Sequence, residues 1–185
     1  MRVLGLLSIA MAIATAQAAA LNKRVTAPVA TEITDLQTIV TQLAKVNTEV
    51  SAYTASQGYG GALKIAGDSN TLQTDVKKAT TDCGAITGTV SDSDATAVLN
   101  EVAILVPQVQ ATLQSIVSKK SVFASVPLVT PLVTGQLTAL QKETASLDSC
   151  LLSHTPSDQT ATAQGYITQI NTAFTSACSA YGVTC

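Results

Sequence analysis

The sequence predicts an all-α fold: an antiparallel up-and-down bundle of about five helices, stapled by disulfides. Three observations predict it. Apolar residues recur at steps of three and four over nearly all of residues 25–185, which puts one buried stripe on each helix. No stretch alternates apolar and polar residues over strand length between turn signals; the nearest, Val122 to Val129, contains Pro127. Four cysteines (Cys83, Cys150, Cys178 and Cys185) lie in the same region with no CxxC pair, an even count that two disulfides would use up.

The chain opens on Met1-Arg2, an apolar run from Val3 to about Ala16, and Ala16-Gln17-Ala18. An early positive charge, a short apolar core and a small-residue end predict a secretory signal peptide over residues 1–18. The run is too short to span a bilayer comfortably, and no stop-transfer pattern follows. Lys23-Arg24 has the form of a dibasic processing site, so the mature protein is expected to begin at Ala19 or, if a pro-segment over 19–24 is removed, at Val25, with a single helical-bundle binding domain over 25–185. The expected location is extracellular.

The first helix is predicted from Pro28 to about Ser56, through Val29, Ile33, Leu36, Val40, Leu43, Val46 and Val50. Pro28 suits a first turn, where its missing N–H would be unpaired anyway. Gly58, Gly60 and Gly61 are expected to end this helix and open a turn. The second runs from about Ala62 to Thr81, with Leu63, Ala66, Leu72, Val76, Ala79 and Cys83 on its stripe. After a loop, Ser91-Asp92-Ser93-Asp94 offers acceptors to the free N–H groups of a third helix. That helix runs to about Lys120 through Val98, Val102, Leu105, Val106, Val109, Leu113, Ile116 and Val117. Pro107 inside it predicts a kink. A break at Ser121 to Ser125 leads to a fourth helix, from about Val126 to Ser153, through Val129, Val133, Leu137, Leu140, Leu147 and Leu151; Pro127 and Pro131 mark its start. Thr155-Pro156-Ser157-Asp158 reads as the start of a fifth, which runs to about Tyr181 through Ala163, Tyr166, Ile167, Ile170, Phe174 and Ala177. Short loops predict antiparallel neighbours. In such a bundle the ends of the second and fourth helices share a pole, so pairing Cys83 with Cys150 and Cys178 with Cys185 needs the least distortion.

Composition narrows the function. Charged residues make up 12% of the chain, the net charge is −2, and no basic block follows the first segment. Nucleic acid, which demands a dense Lys/Arg footprint, is excluded as a partner. Aromatic residues are only 3%, while aliphatic ones carry most of the 46% hydrophobic content. No metal-ligand spacing or cofactor motif is present, and His154 stands alone. Gly67-Asp68-Ser69 resembles the nucleophile block of one lipase group, but the strand before it and the late Asp-x-x-His are missing, since Leu151 stands three residues before His154. Asp92, Asp94 and Asp158 are placed to cap helices. No N-glycosylation sequon occurs, so any sugar would be O-linked to Ser and Thr. No long apolar tail of a lipid anchor closes the sequence.

Aliphatic stripes on five helices can pack into a solid core or wall a space that accepts an alkyl chain. Tyr59-Gly60-Gly61-Ala62-Leu63, Lys119-Lys120-Ser121-Val122-Phe123, and Thr144 to Leu152 followed by Pro156 resemble motifs of the fungal hydrophobic surface binding protein family, also described as cell-wall galactomannoproteins or antigenic mannoproteins. The resemblance spans Ile33 to Tyr181. It implies an all-helical secreted protein that adsorbs to hydrophobic surfaces or holds fatty acids between its helices, and some relatives assist secreted esterases. The expectation is therefore a non-catalytic protein without cofactor, binding aliphatic ligands such as fatty acids or apolar surfaces. The residues expected to face the ligand are Leu43, Leu72, Val76, Leu105, Val109, Leu113, Phe123, Leu137, Leu140, Ile167, Ile170 and Phe174. Lys64, Lys119 and Lys120 are the candidates for a carboxylate head. The alternative is a structural or antigenic O-mannosylated wall protein with a solid core.

Overall fold

The computed structural model describes residues 25–185. The signal peptide over 1–18 and the pro-segment over 19–24 lie outside the described residues. Five long helices carry the fold: α1 (Ala27–Ala52), α2 (Gly58–Cys83), α3 (Asp92–Ser118), α5 (Val129–His154) and α6 (Thr160–Tyr181); α4 (Lys120–Ala124) is a single short turn of helix between α3 and α5. Among the described residues there is no strand.

Local chemistry sets the helix ends. Ser91 Oγ accepts the Asp94 N–H at 3.2 Å and caps α3, as its sequence predicts. Asp94 also reaches across to α1, accepting from Thr26 N–H at 3.3 Å and Thr26 Oγ1 at 3.0 Å, so one buried carboxylate fixes the starts of two helices. α6 ends on Gly182, whose left-handed φ of 71° lets Val183 N–H reach back to the Cys178 carbonyl at 3.0 Å. That turn carries Cys185 back onto Cys178.

Several boundaries differ from those predicted. α1 stops at Ala52, and Tyr53 turns inward, where it is buried. A 3-10 turn over Ala55–Gln57 follows, and α2 begins at Gly58 and runs through Gly60 and Gly61. The glycines start a helix; they do not separate two. Gly61 serves close packing, because a Cβ there would lie 2.6 Å from Gln57 Cβ and 3.3 Å from the Tyr53 ring. Ser121 to Ser125, expected as a break, lies largely in α4, which buries Phe123. Thr155 caps the end of α5, and Pro156 to Gln159 form a turn, so α6 starts at Thr160. The Pro156 carbonyl accepts from Gln159 and Thr160 N–H groups, which moves the helix start one turn downstream. α3 is continuous through Pro107.

Consecutive long helices alternate in direction, giving the up-and-down bundle. Their neighbour order is not sequence order. α1 packs on α2 and α3, α2 on α5, α5 on α6, and α6 on α3, which closes a five-membered ring. α2 and α3 do not pack along their lengths, although a short loop joins them, so the predicted antiparallel neighbours hold only for α1/α2 and α5/α6. The other three contacts are parallel. Cys83 and Cys150, at the ends of α2 and α5, are joined by a disulfide, and Cys178 is joined to Cys185.

At the pole where α1 begins, Glu32 is fully buried and neither of its carboxyl oxygens has a partner. Lys78 is engaged instead by Asp35 at 2.6 Å and Asp82 at 2.7 Å. Burial, with the charges of Asp35 and Asp82 adding, pushes the Glu32 carboxyl up to about 8. The folded chain thus keeps a proton that the unfolded chain releases above its ordinary value of 4.5. This contribution to stability is complete below that value, declines as pH rises, and is gone above about 8. A melting temperature that falls on the order of 10 °C across that window is expected, and Glu32→Gln should remove the larger part of the fall in a calorimetric pH series. Replacing Cys83 and Cys150 together, which opens a 67-residue separation, should cost about 4 kcal/mol in urea unfolding. Replacing Cys178 and Cys185, which are 7 apart, should cost about 2.5 kcal/mol.

Candidate functional site

A ring of five rods leaves a channel on its axis that short side chains cannot fill. The bundle contains a cavity of about 130 Å³, lined from Val29 and Ile86 at one pole to Val50 and Phe123 at the other. From Val29 to Val50 the α1 axis rises roughly 30 Å at about 1.5 Å per residue, longer than an extended palmitoyl chain. All twelve residues expected to face a ligand border this lumen: Leu43 on α1; Leu72 and Val76 on α2; Leu105, Val109 and Leu113 on α3; Phe123 on α4; Leu137 and Leu140 on α5; Ile167, Ile170 and Phe174 on α6. Leu132, Val133, Leu140, Leu151 and Ile167 are only half-buried although they point inward, because the space they face is empty.

Both ends of the lumen are built. At the first pole the loop over residues 84–91 lies across the opening, with Ile86 and Val90 turned inward. It is tied to α5 by Val90 N–H to the His154 carbonyl at 3.0 Å and by His154 Nδ1–H to the Gly88 carbonyl at 2.7 Å. At the second pole the rings of Tyr53 and Phe123 pack with centroids 5.0 Å apart, tilted by 38°. Tyr53 Oη donates to the Gly58 carbonyl at 2.9 Å, Lys119 Nζ to the Tyr53 carbonyl at 3.0 Å, and Tyr181 Oη to the Ile116 carbonyl at 2.8 Å.

Of the polar candidates, only Ser69 and His154 border the lumen. Lys64 pairs with Glu49, Lys119 is spent on Tyr53, and Lys120 reaches the Ala180 carbonyl at 2.5 Å; none of them lines the lumen. Their chains rise from helix flanks at the second pole, so a head-group role from these lysines does not fit the structure. Gly67, Asp68 and Ser69 sit inside α2, with Asp68 paired to Lys45. His154, at the end of α5, borders the lumen at the first pole and is bonded to a backbone carbonyl. The ligand atoms of Cys83, Cys150 and His154 lie within 4.8 Å of one another, but the two sulfurs are bonded together, so the group is a covalent staple beside a loop tie.

One polar lining residue stands apart, and the sequence reading missed it. Asp148 borders the lumen, and its Oδ2 is buried with no hydrogen-bond partner. Burial alone pushes its carboxyl up to about 7. The signal was present: Leu140, Thr144, Leu147, Asp148 and Leu151 follow helical spacing, which sets a carboxylate on an apolar stripe.

A profile of the family described as hydrophobic surface binding protein A matches residues 29–153. The chain belongs to the hydrophobic surface binding protein A family. Among solved structures it is similar to Afmp4p in complex with palmitic acid, at 30% identity and a TM-score of 0.79 over 83% of this chain and 99% of that one. It shares its fold with ligand binding domain 1 of the Penicillium marneffei MP1 protein complexed with arachidonic acids, at 19% identity and a TM-score of 0.74 over 81% of this chain and 95% of that one. Ligand binding domain 2 of the same protein, also in complex with arachidonic acids, matches at 17% identity and a TM-score of 0.73 over 80% and 90%. A comparison with curated proteins found no match. Within this family's fold, the enclosed lumen argues against the solid-core alternative. Among the described residues, no helix is long and apolar enough to cross a membrane.

The empty axis makes a mechanical prediction. Leu137 and Leu140 both border the lumen, but Leu137 is 1% exposed within the buried core, whereas Leu140 is half-buried. Leu137→Ala should cost about 3 kcal/mol and Leu140→Ala about 1 kcal/mol or less in urea titrations.

Proposed function

We propose that this protein is a secreted, non-catalytic carrier that holds a fatty acid or a similar aliphatic ligand along the axis of its bundle. The observation that carries this reading is the continuous lumen lined by aliphatic side chains over the length of all five helices. The twelve lining residues named above would supply dispersion contacts and exclude water, at roughly 0.8 kcal/mol gross per buried methylene before ordering costs. An apolar cavity of about 150 Å³ takes up a molecule the size of benzene. A long chain therefore needs more room than the 130 Å³ now enclosed. Widening the lumen requires the half-buried lining residues Leu132, Leu140, Leu151 and Ile167 to change rotamer. The relatives holding palmitic and arachidonic acids support the ligand class. Export is supported by the signal-like first segment. Adsorption to apolar surfaces is supported by the family and by the exposed Tyr59, Leu63, Ile104 and Leu128.

Native mass spectrometry of the secreted protein, with lipid extraction, tests the reading. A co-purified lipid, or uptake of added palmitic acid at one molecule per chain, is expected. Leu140→Trp, which fills the lumen, should reduce uptake about tenfold or more while the helical circular dichroism stays unchanged. No co-purified lipid together with no uptake of palmitic acid would overturn it.

A further inference from the structure

We propose that Asp148 selects the head group of the enclosed ligand: its protonated carboxyl donates a hydrogen bond to the carboxylate of a fatty acid and couples that binding to a proton. The inference rests on the lumen being a site for aliphatic ligands. A carboxylate carried into such a lumen loses its water and needs a donor there. Among the described residues that line the space, no Lys or Arg occurs, and Asp148 is the one carboxyl group. Its Oδ2 has no partner within the protein, so its hydrogen-bonding capacity is unspent. Leu147 and Leu151 on the same face also border the lumen, which places the group beside the path of an alkyl chain.

The proton state follows from the surroundings. Burial holds the Asp148 carboxyl neutral up to about pH 7, with no charged neighbour contributing. α5 packs against α2, α6 and α4, and on α4 Lys120 is bonded to the Ala180 carbonyl at the second pole. On α2, Lys77 pairs with Glu143 of α5 at 3.5 Å, Lys78 binds Asp35 and Asp82, and Asp75 senses the same Asp35 charge. α6 carries no charged residue; its titratable groups are Tyr166 and Tyr181, and the latter is bonded to Ile116 at the far pole. On α5 itself, His154 is held by Gly88, and the remaining charges are Lys142 and the paired Glu143. Across the lumen on α3, Glu101 accepts from Gln37, while Asp94 is bound to Thr26 at the first pole. Among the described residues lining the space there is thus no Lys or Arg to neutralise Asp148 or its ligand, and the lining His154 gives its Nδ1–H to the Gly88 carbonyl. A neutral carboxyl donates to a carboxylate in a short charge-assisted bond. An ionised one repels it. The two carboxyl groups then share one proton, and affinity for an acid is lost as pH rises above about 7.

Calorimetric titration of the full chain with dodecanoate and with dodecan-1-ol, from about pH 5.5 to about pH 9, tests this. Dodecanoate affinity should hold to about pH 7 and fall about tenfold or more by pH 9. Dodecan-1-ol, whose hydroxyl can donate to the ionised carboxylate, should show no such fall. D148N keeps a donor that does not titrate and should abolish the fall. D148L should weaken dodecanoate about tenfold at pH 5.5 while leaving dodecan-1-ol within about threefold. Identical pH profiles for the two probes, or a D148N profile matching the native one, would overturn the role of Asp148 and leave the lumen standing. Failure of both probes to bind the native chain would overturn the lumen reading and this inference with it.

Discussion

Five helices closed into a ring, with side chains too short to meet at its centre, set the conditions for everything else in this molecule. Four rods can bring their stripes into contact across the axis; five hold opposite walls apart. Leu, Val, Ile and Ala fill the seams between neighbours, where Leu36, Val106 and Leu137 are buried. They leave the middle open, and almost no aromatic residue is available to bridge it. The two phenylalanines are both used near the second pole, Phe123 against Tyr53 and Phe174 on α6 beside the lumen.

A hollow bundle forgoes central packing and must recover stability at its ends. One pole gathers the Cys83–Cys150 bond, the Asp94 link between α1 and α3, and the two ties from the 84–91 loop to α5. The other gathers Tyr53, Phe123, Lys119 and Tyr181, each spending its polar atom on a backbone carbonyl or packing its ring into the seal. This arrangement leaves the helix walls between the poles joined mainly by aliphatic contact. The polar ties between these walls, such as Gln37 to Glu101 and Gln73 to Gln136, lie on the flanks and leave the inner faces largely aliphatic.

Two carboxyl groups are held against their preference for water, and they differ in what surrounds them. Glu32 is packed between α1 and α2 amid other acids, with the only nearby lysine committed elsewhere. It lowers stability when it ionises and gains no access to the lumen. Asp148 is raised by desolvation alone and borders the lumen. Similar residue chemistry is thus a structural liability on one helix and a ligand-facing group on another, decided by what each side chain looks into.

Much of this was legible in the chain. Steps of three and four located five helices and their inner stripes, so all twelve residues chosen from spacing border the lumen. The pairing of Cys83 with Cys150 followed from helix direction. The ends of elements were less legible, because capping signals are ambiguous one turn either way. Thr155 has the chemistry of a start and serves as an end, and Gly58, Gly60 and Gly61 lie in the first turns of a helix, where Gly61 leaves room for Gln57 and the Tyr53 ring. Spacing along one helix says which face is apolar; it carries no information on which other helix that face will meet. The ring order, in which α2 lies beside α5 and not α3, comes from packing, and with it come the empty axis and the placement of Asp148 inside it. Local sequence fixed the rods and their inner faces through the period of the helix. Only their assembly around a common axis decided that those faces would enclose a space instead of filling it.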